Sequence, residues 1–324
     1  MFESALQAGF ISSGMDVTLL GPLPTPGVSF LANSNNQVGL VISASHNLFE
    51  DNGIKFFNKD GQKFSFELER RIEAKLTQEM TAVESINLGK ASRMNDAQGR
   101  YIEFCKSSFT NLDLSGLSIL LDCANGATYS VAPSIFSELG ATVDTIGASP
   151  DGININQNCG STSPDFLKEE MAKGDYDIGI AFDGDGDRIL VVSSEGNVLD
   201  GDDILYILSN NLSNESGVIG TLMTNKALEL YFEEQGINFS RADVGDKYVT
   251  EMLTKKGWML GGEASGHIIC KDLVSTGDGT IAALKVISSL LILEKSPQEI
   301  LSNYKKVPQI NKAVSVNNKD IIND

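Results

Sequence analysis

Three similar mixed α/β domains in tandem are what this 324-residue chain predicts, and three observations carry that expectation. Its length fits two or three domains at roughly 100–200 residues each, and 41% hydrophobic residues suffice for packed cores. Short apolar runs bounded by turn residues alternate with amphipathic helical stretches, the pattern of α/β layers with largely parallel sheets. A helix–glycine–strand unit also recurs at intervals of about 100 residues.

The elements follow in chain order. Residues 3–13 read as a helix closed by Gly14 at the C′ position, and the strand-like Val17-Thr18-Leu19-Leu20 comes next. Residues 37–43 read as a buried strand running out into a polar loop, with 54–58 as the returning strand. Residues 132–139, Gly140 and the run 141–146 repeat the first unit, as do 227–235, Gly236 and 237–240. Two apolar runs, 178–182 and 189–192, flank an acidic loop. The most apolar stretch, 281–293, is interrupted by Lys285, is too short to cross a bilayer, and reads as a buried helix. Boundaries are expected in the polar stretches 87–99, 195–203 and 305–311, giving units 1–95, 96–198 and 199–308 with 309–324 left over.

The formal charge of −18 argues against a nucleic-acid or membrane partner. An anionic substrate must then be held by local cations set against the overall field. Four widely spaced cysteines with no Cys-x-x-Cys pair argue against zinc or redox use and fit a reduced, cytoplasmic location. The first twenty residues carry no recognisable signal peptide.

Chemistry concentrates in three loops. In Asp183-Gly184-Asp185-Gly186-Asp187-Arg188, alternate carboxylates point the same way in near-extended chain, and the glycines let them converge. Three hard oxygen donors around one centre suit Mg²⁺. Such a turn is often only a solvated hairpin, but three carboxylates packed together without a cation would repel. A Ca²⁺-binding EF-hand fails twice: Arg188 stands where glycine is needed, and Glu195 lies one residue past the required glutamate. The second loop, Ser43-Ala44-Ser45-His46-Asn47, precedes Lys55. An isolated Ser-His is more often a plain turn, and the Gly-x-Ser-x-Gly elbow of a hydrolase is absent. The chain's two histidines, His46 and His267, nevertheless both lie in polar loops. The third loop, Gly261-Gly262-Glu263-Ala264-Ser265-Gly266-His267, offers a carboxylate and a hydroxyl able to bond neighbouring sugar hydroxyls, although alone it too reads as a turn.

Together and in this order, the three loops resemble those of the α-D-phosphohexomutases, over nearly the whole chain. Further strings, Asp122 to Tyr129, Gly152 to Asn156, Cys159 to Thr162 and Thr276 to Gly279, resemble the members acting on hexosamine phosphates. The resemblance implies an isomerase that moves a phosphoryl group within a hexosamine phosphate through a sugar bisphosphate intermediate, supplying amino-sugar precursors of the cell wall. It implies that Ser45 carries the phosphoryl group and completes a Mg²⁺ site with Asp183, Asp185 and Asp187. His46, Asn47 and Arg188 would orient or neutralise that phosphate. Lys55 would serve proton transfer or phosphate stabilisation. Glu263 and Ser265 would grip the sugar with His267 nearby, and Lys247 would meet the substrate phosphate. Mannose or glucose phosphates remain alternative substrates, and an inactive fragment binding only metal or sugar phosphate is a further reading. Leu48 and Ala264 depart from residues common in the family, proline and glutamine. The family's Gly-rich N-terminal segment and fourth domain have no counterpart here, so the first domain is expected to be incomplete and 309–324 a stub. Weak or absent turnover, and a sheet edge open to homodimer formation, are expected from the same departure.

Overall fold

The computed structural model describes residues 1–109, 111–212, 216–310 and 312, so most of the expected stub 309–324 lies outside the described residues. The first unit runs α1 (Phe2–Ser12), β1 (Val17–Leu19), α2 (Thr25–Ser34), β2 (Gly39–Ser43), β3 (Gly53–Phe57), α3 (Phe66–Glu73) and β4 (Ala91–Arg93). Its strands form two separate pairs, β1 with β4 in parallel and β2 with β3 antiparallel. β2 alternates between buried and half-buried positions, so it is not the fully buried strand that its apolar run predicts. The reason is that, among the described residues, it has β3 on one side and no strand on the other.

The second unit comprises α4 (Ala97–Ser107), β5 (Ser118–Asp122), α5 (Ala132–Glu138), β6 (Thr142–Ile146), α6 (Pro164–Met171), β7 (Ile178–Phe182), β8 (Ile189–Ser193) and β9 (Val198–Leu199). Its sheet has the order β6-β5-β7-β8-β9, parallel across the first three strands and antiparallel across the rest. β7 is buried along its whole length, as the unbroken run Ile178-Gly179-Ile180-Ala181-Phe182 requires.

The third unit comprises α7 (Gly201–Ser209), β10 (Gly217–Thr221), α8 (Lys226–Gln235), β11 (Asn238–Ala242), α9 (Asp246–Lys256), β12 (Leu260–Gly262), β13 (Ile268–Cys270), α10 (Gly279–Leu293) and α11 (Pro297–Leu301). Its sheet, β11-β10-β12-β13, repeats the same plan of parallel strands closed by an antiparallel edge. The sheets are therefore mixed and not largely parallel, because each chemical loop turns the chain straight back on itself. α10 is buried over most of its length, but its last turn exposes Leu291 and Ile292. All four cysteines are buried and unpaired.

One large apolar cluster runs through all three units, from Leu23 and Val41 through Ile180 to Leu260 and Ile287. Across it, the buried Tyr101 hydroxyl donates to both carboxylate oxygens of Asp278, at 3.0 and 2.9 Å. The units thus share a core, and their loops meet with little freedom.

Candidate active site

Each chemical loop joins an antiparallel pair: residues 44–52 join β2 to β3, 183–188 join β7 to β8, and 263–267 join β12 to β13. Asp183, Asp185 and Asp187 are buried, and one carboxylate oxygen from each lies within 4.8 Å of the others. Burial, then repulsion from Asp187 and Asp185, pushes the Asp183 carboxyl well above the usual range. Burial would also raise Asp187, but His267 and the lysines outweigh it and hold Asp187 low. Among the described residues, Asp183 Oδ2, Asp185 Oδ1 and Asp187 Oδ1 accept no hydrogen bond although buried. Clustered, dehydrated carboxylate oxygens with unused lone pairs fit a hard divalent cation.

The Lys55 ammonium lies among these carboxylates, 2.5 Å from Asp185 Oδ2 and 3.1 Å from Asp187 Oδ2. It also donates to Ser45 Oγ at 3.4 Å. Although burial opposes its charge, the Asp187 and Asp185 carboxylates win and raise the lysine above its ordinary value. Serine and metal loop, 130 and more residues apart in sequence, are thus brought around one cation. Ser45 has φ of 54°, a left-handed backbone that is uncommon outside glycine, and its N–H is held by Ser43 Oγ at 2.8 Å. His46 Nδ1 is 3.5 Å from Ser45 Oγ, and burial followed by the Arg188 charge lowers its pKa, favouring neutral imidazole. The Arg188 backbone N–H donates to Asp183 Oδ1 at 3.1 Å, while its buried Nε has no hydrogen-bond partner.

Ser45, Lys55, Asp187 and Arg188 line a cavity of about 680 Å³ together with Lys63, Asp246, Glu263, Ser265, His267 and Lys306. The sugar loop is docked on the metal loop by backbone: the Ile189 N–H donates to Gly266 O at 3.0 Å. A Cβ at Gly266 would lie 1.9 Å from Ile189 O, so this contact admits glycine alone. Glu263 Oε1 accepts from the Gly245 N–H at 3.0 Å.

Two of the expected residues make contacts that the sequence does not indicate. His267 is buried between Asp187 and Asp246, with Nδ1 3.5 Å from one carboxylate and Nε2 3.4 Å from the other. It therefore touches the metal loop directly. Lys247 lies 3.2 Å above the Phe66 ring and is absent from the cavity lining, where Lys63 and Lys306 stand instead. Lys63 pairs with Asp246, and Lys306 bridges Asp200 and Asp203 at 2.6 Å each.

Sequence reasoning missed these cations, and also Thr25 and Asn156. Thr25 donates its hydroxyl to Asp185 Oδ2 and its N–H to Asp185 O. Asn156 lies in a string quoted for its resemblance, yet nothing local marks its side chain as reaching Ser45. Asp246 stood beside Lys247 at the start of a helix, a position favourable to an acidic residue, and that was the available signal.

Comparison with known proteins agrees with this geometry. Models of the phosphoglucomutase/phosphomannomutase α/β/α domains I, II and III match residues 1–83, 99–196 and 200–307 in that order. The chain belongs to this family of phosphohexose mutases, which are isomerases. Among its relatives is the phosphoglucosamine mutase of Legionella pneumophila strain Lens, 51% identical across 99% of this chain and 74% of that protein. A phosphoglucomutase/phosphomannomutase family protein from Burkholderia thailandensis has the same fold, with a TM-score of 0.80 at 24% identity over 94% of this chain and 68% of its own. The Aspergillus fumigatus N-acetylphosphoglucosamine mutase, solved with GlcNAc-6P and magnesium, gives 0.66 at 17% identity over 88% of this chain and 77% of its own.

Proposed function

We propose that this protein is a Mg²⁺-dependent phosphoglucosamine mutase interconverting glucosamine 6-phosphate and glucosamine 1-phosphate, a step towards UDP-N-acetylglucosamine and the cell wall. The observation that carries it is that Ser45 Oγ and two of the three clustered aspartates, Asp185 and Asp187, share the Lys55 ammonium as a neighbour. Supporting the amino sugar over mannose or glucose phosphates are the names of relatives at about half identity over nearly the whole chain.

In this reading Ser45 is a phosphoserine in the resting enzyme. It passes its phosphoryl group to the substrate, the resulting bisphosphate turns over in the cavity, and the other phosphate returns to Ser45. Asp183, Asp185 and Asp187 would hold Mg²⁺ with an oxygen of the serine phosphate. When bound, the ion neutralises and polarises the group being transferred. Lys55 and Arg188 add positive charge where phosphate oxygens would lie, which is the main requirement of phosphoryl transfer. Neutral His46 beside Ser45 Oγ is suited to accept or return the serine proton. Glu263 and Ser265 orient the sugar from the opposite loop, with Asn47 steadying the serine side. Lys247 would reach substrate phosphate only by leaving the Phe66 ring, and Lys63 is the cation already facing the cavity.

The same reading places the enzyme in the cytoplasm acting on a soluble sugar phosphate. Among the described residues no helix is long and apolar enough to cross a membrane. Sedimentation would report whether it is a homodimer. The deciding experiment measures turnover of glucosamine, mannose and glucose 6-phosphates, with intact-mass analysis after exposure to glucose 1,6-bisphosphate. One phosphate on Ser45 and preferred turnover of the amino sugar are expected. No phosphate at Ser45 and no turnover of any of the three would overturn the assignment.

A further inference from the structure

Asn156 belongs to the second unit, yet its side chain ends in the first. Its Nδ2 donates to Ser45 O at 2.8 Å and to Asn47 O at 2.7 Å, spending both amide hydrogens on the two carbonyls that flank His46. Its backbone is fixed independently, because its N–H donates to Ala124 O at 2.9 Å and its φ is 56°. Ala124 is placed in turn by Asp122, which accepts from the Ala124 N–H at 2.9 Å and the Gly160 N–H at 2.6 Å. The metal loop rests on the same side chain: a Cβ at Gly184 would lie 2.7 Å from Asn156 Nδ2. One buried amide therefore touches the backbone between two metal-loop carboxylates and grips the backbone of the nucleophile.

The geometry points to Asn156 as a positioning residue that holds Ser45 in its left-handed conformation, in register with the aspartate trio. A left-handed serine tends to relax to ordinary backbone, which would swing Oγ to a new direction. Two short donations to carbonyls on either side of His46 oppose that rotation where a single bond would leave a pivot. Misplacement of a reacting group by about 1 Å can cost on the order of 100-fold in rate. Asn156 touches neither phosphate nor sugar on this reading, so substrate binding is unaffected.

Three variants separate donation from space-filling. Asn156→Gly accepts the positive φ and deletes the amide. Asn156→Asp keeps the shape but turns acceptors towards both carbonyls. Asn156→Ala deletes the amide and adds backbone strain. Amide hydrogen exchange in the segment around Ser45 is measured alongside kcat and KM for glucosamine 6-phosphate. We expect exchange there to rise at least tenfold and kcat to fall on the order of 10- to 100-fold. KM should stay within about twofold, since the amide does not touch substrate. Asp should be no better than Gly. Unchanged exchange around Ser45 in Asn156→Gly, or rescue by Asn156→Asp, would overturn the inference. The inference depends on the mutase assignment only for its kinetic arm. If the parent protein proves inactive, the exchange arm still decides the role of Asn156, while phosphate incorporation at Ser45 separately tests the assignment.

Discussion

The serine loop and the metal loop occupy the same place in successive units, each at the turn of an antiparallel pair, yet they are built differently. β7 and β8, which carry the aspartates, are almost wholly buried inside a five-stranded sheet. β2 and β3, which carry Ser45, form a two-stranded pair with half-buried and exposed positions. A two-stranded ribbon is marginal alone, and Ser45 is held both by that ribbon, through Lys55 at Oγ and Ser43 at N, and by the second unit, through Asn156 at O. The metal loop is stiff by its own sheet. It can keep three carboxylates clustered against their repulsion, whereas the serine loop is additionally tied to Asn156 of the second unit.

That contrast can be broken at either end. The largest effect is expected from Ser45→Ala, which should abolish turnover and phosphate incorporation while leaving thermal unfolding nearly unchanged. A variant retaining full mutase rate would refute the covalent route. Next, Asp185→Ala should lower kcat by roughly 100- to 1,000-fold and shift the Mg²⁺ activation curve to higher concentration, because a charge-stabilising ligand is lost. A third test compares the sheets themselves. Ile180 is fully buried in β7, so Ile180→Ala should cost about 2–5 kcal/mol in chemical denaturation. Ile42, half-buried in β2, should cost on the order of half that. Equal losses would erase the distinction between a self-supported and a borrowed loop.

A further effect, comparable in size to the strand truncations, concerns the support behind the metal loop. Gly279 N donates to Gly186 O at 2.9 Å, and the neighbouring Asp278 is buried against Tyr101. Burial pushes Asp278 up to about 6, so the folded protein keeps a proton there that the unfolded chain releases near 3.8. Stability should therefore fall as pH rises from about 4 to about 6, by up to roughly 3 kcal/mol from this group. In Asp278→Asn that component should vanish, which urea titrations at the two ends of the window would show. A slope that persists undiminished in the variant would assign the effect to other carboxyls.

Much of this molecule is legible locally. The helix of residues 227–235 ends where Gly236 adopts a left-handed conformation, at the expected C′ position. The acidic hexapeptide lies between two strands, and its carboxylates converge as alternate positions should. Less legible were sheet direction and strand burial, since pairing partners are chosen by the whole chain. His267 lines the cavity beside Glu263 and Ser265, and its further contacts with Asp187 and Asp246 had no local signal. Thr25, Lys63 and Asn156 carry no local signature, because each acts on residues more than 100 positions away.

Periodicity, glycine placement and the spacing of carboxylates depend on neighbours within a few bonds, so the amino-acid order alone determined the elements and the three chemical loops. Which amide grips the Ser45 loop, which lysines face the cavity and which histidine touches the trio were decided by packing the units onto one shared core. Those contacts join segments that meet only after the chain has collapsed, and short-range steric preference cannot specify them.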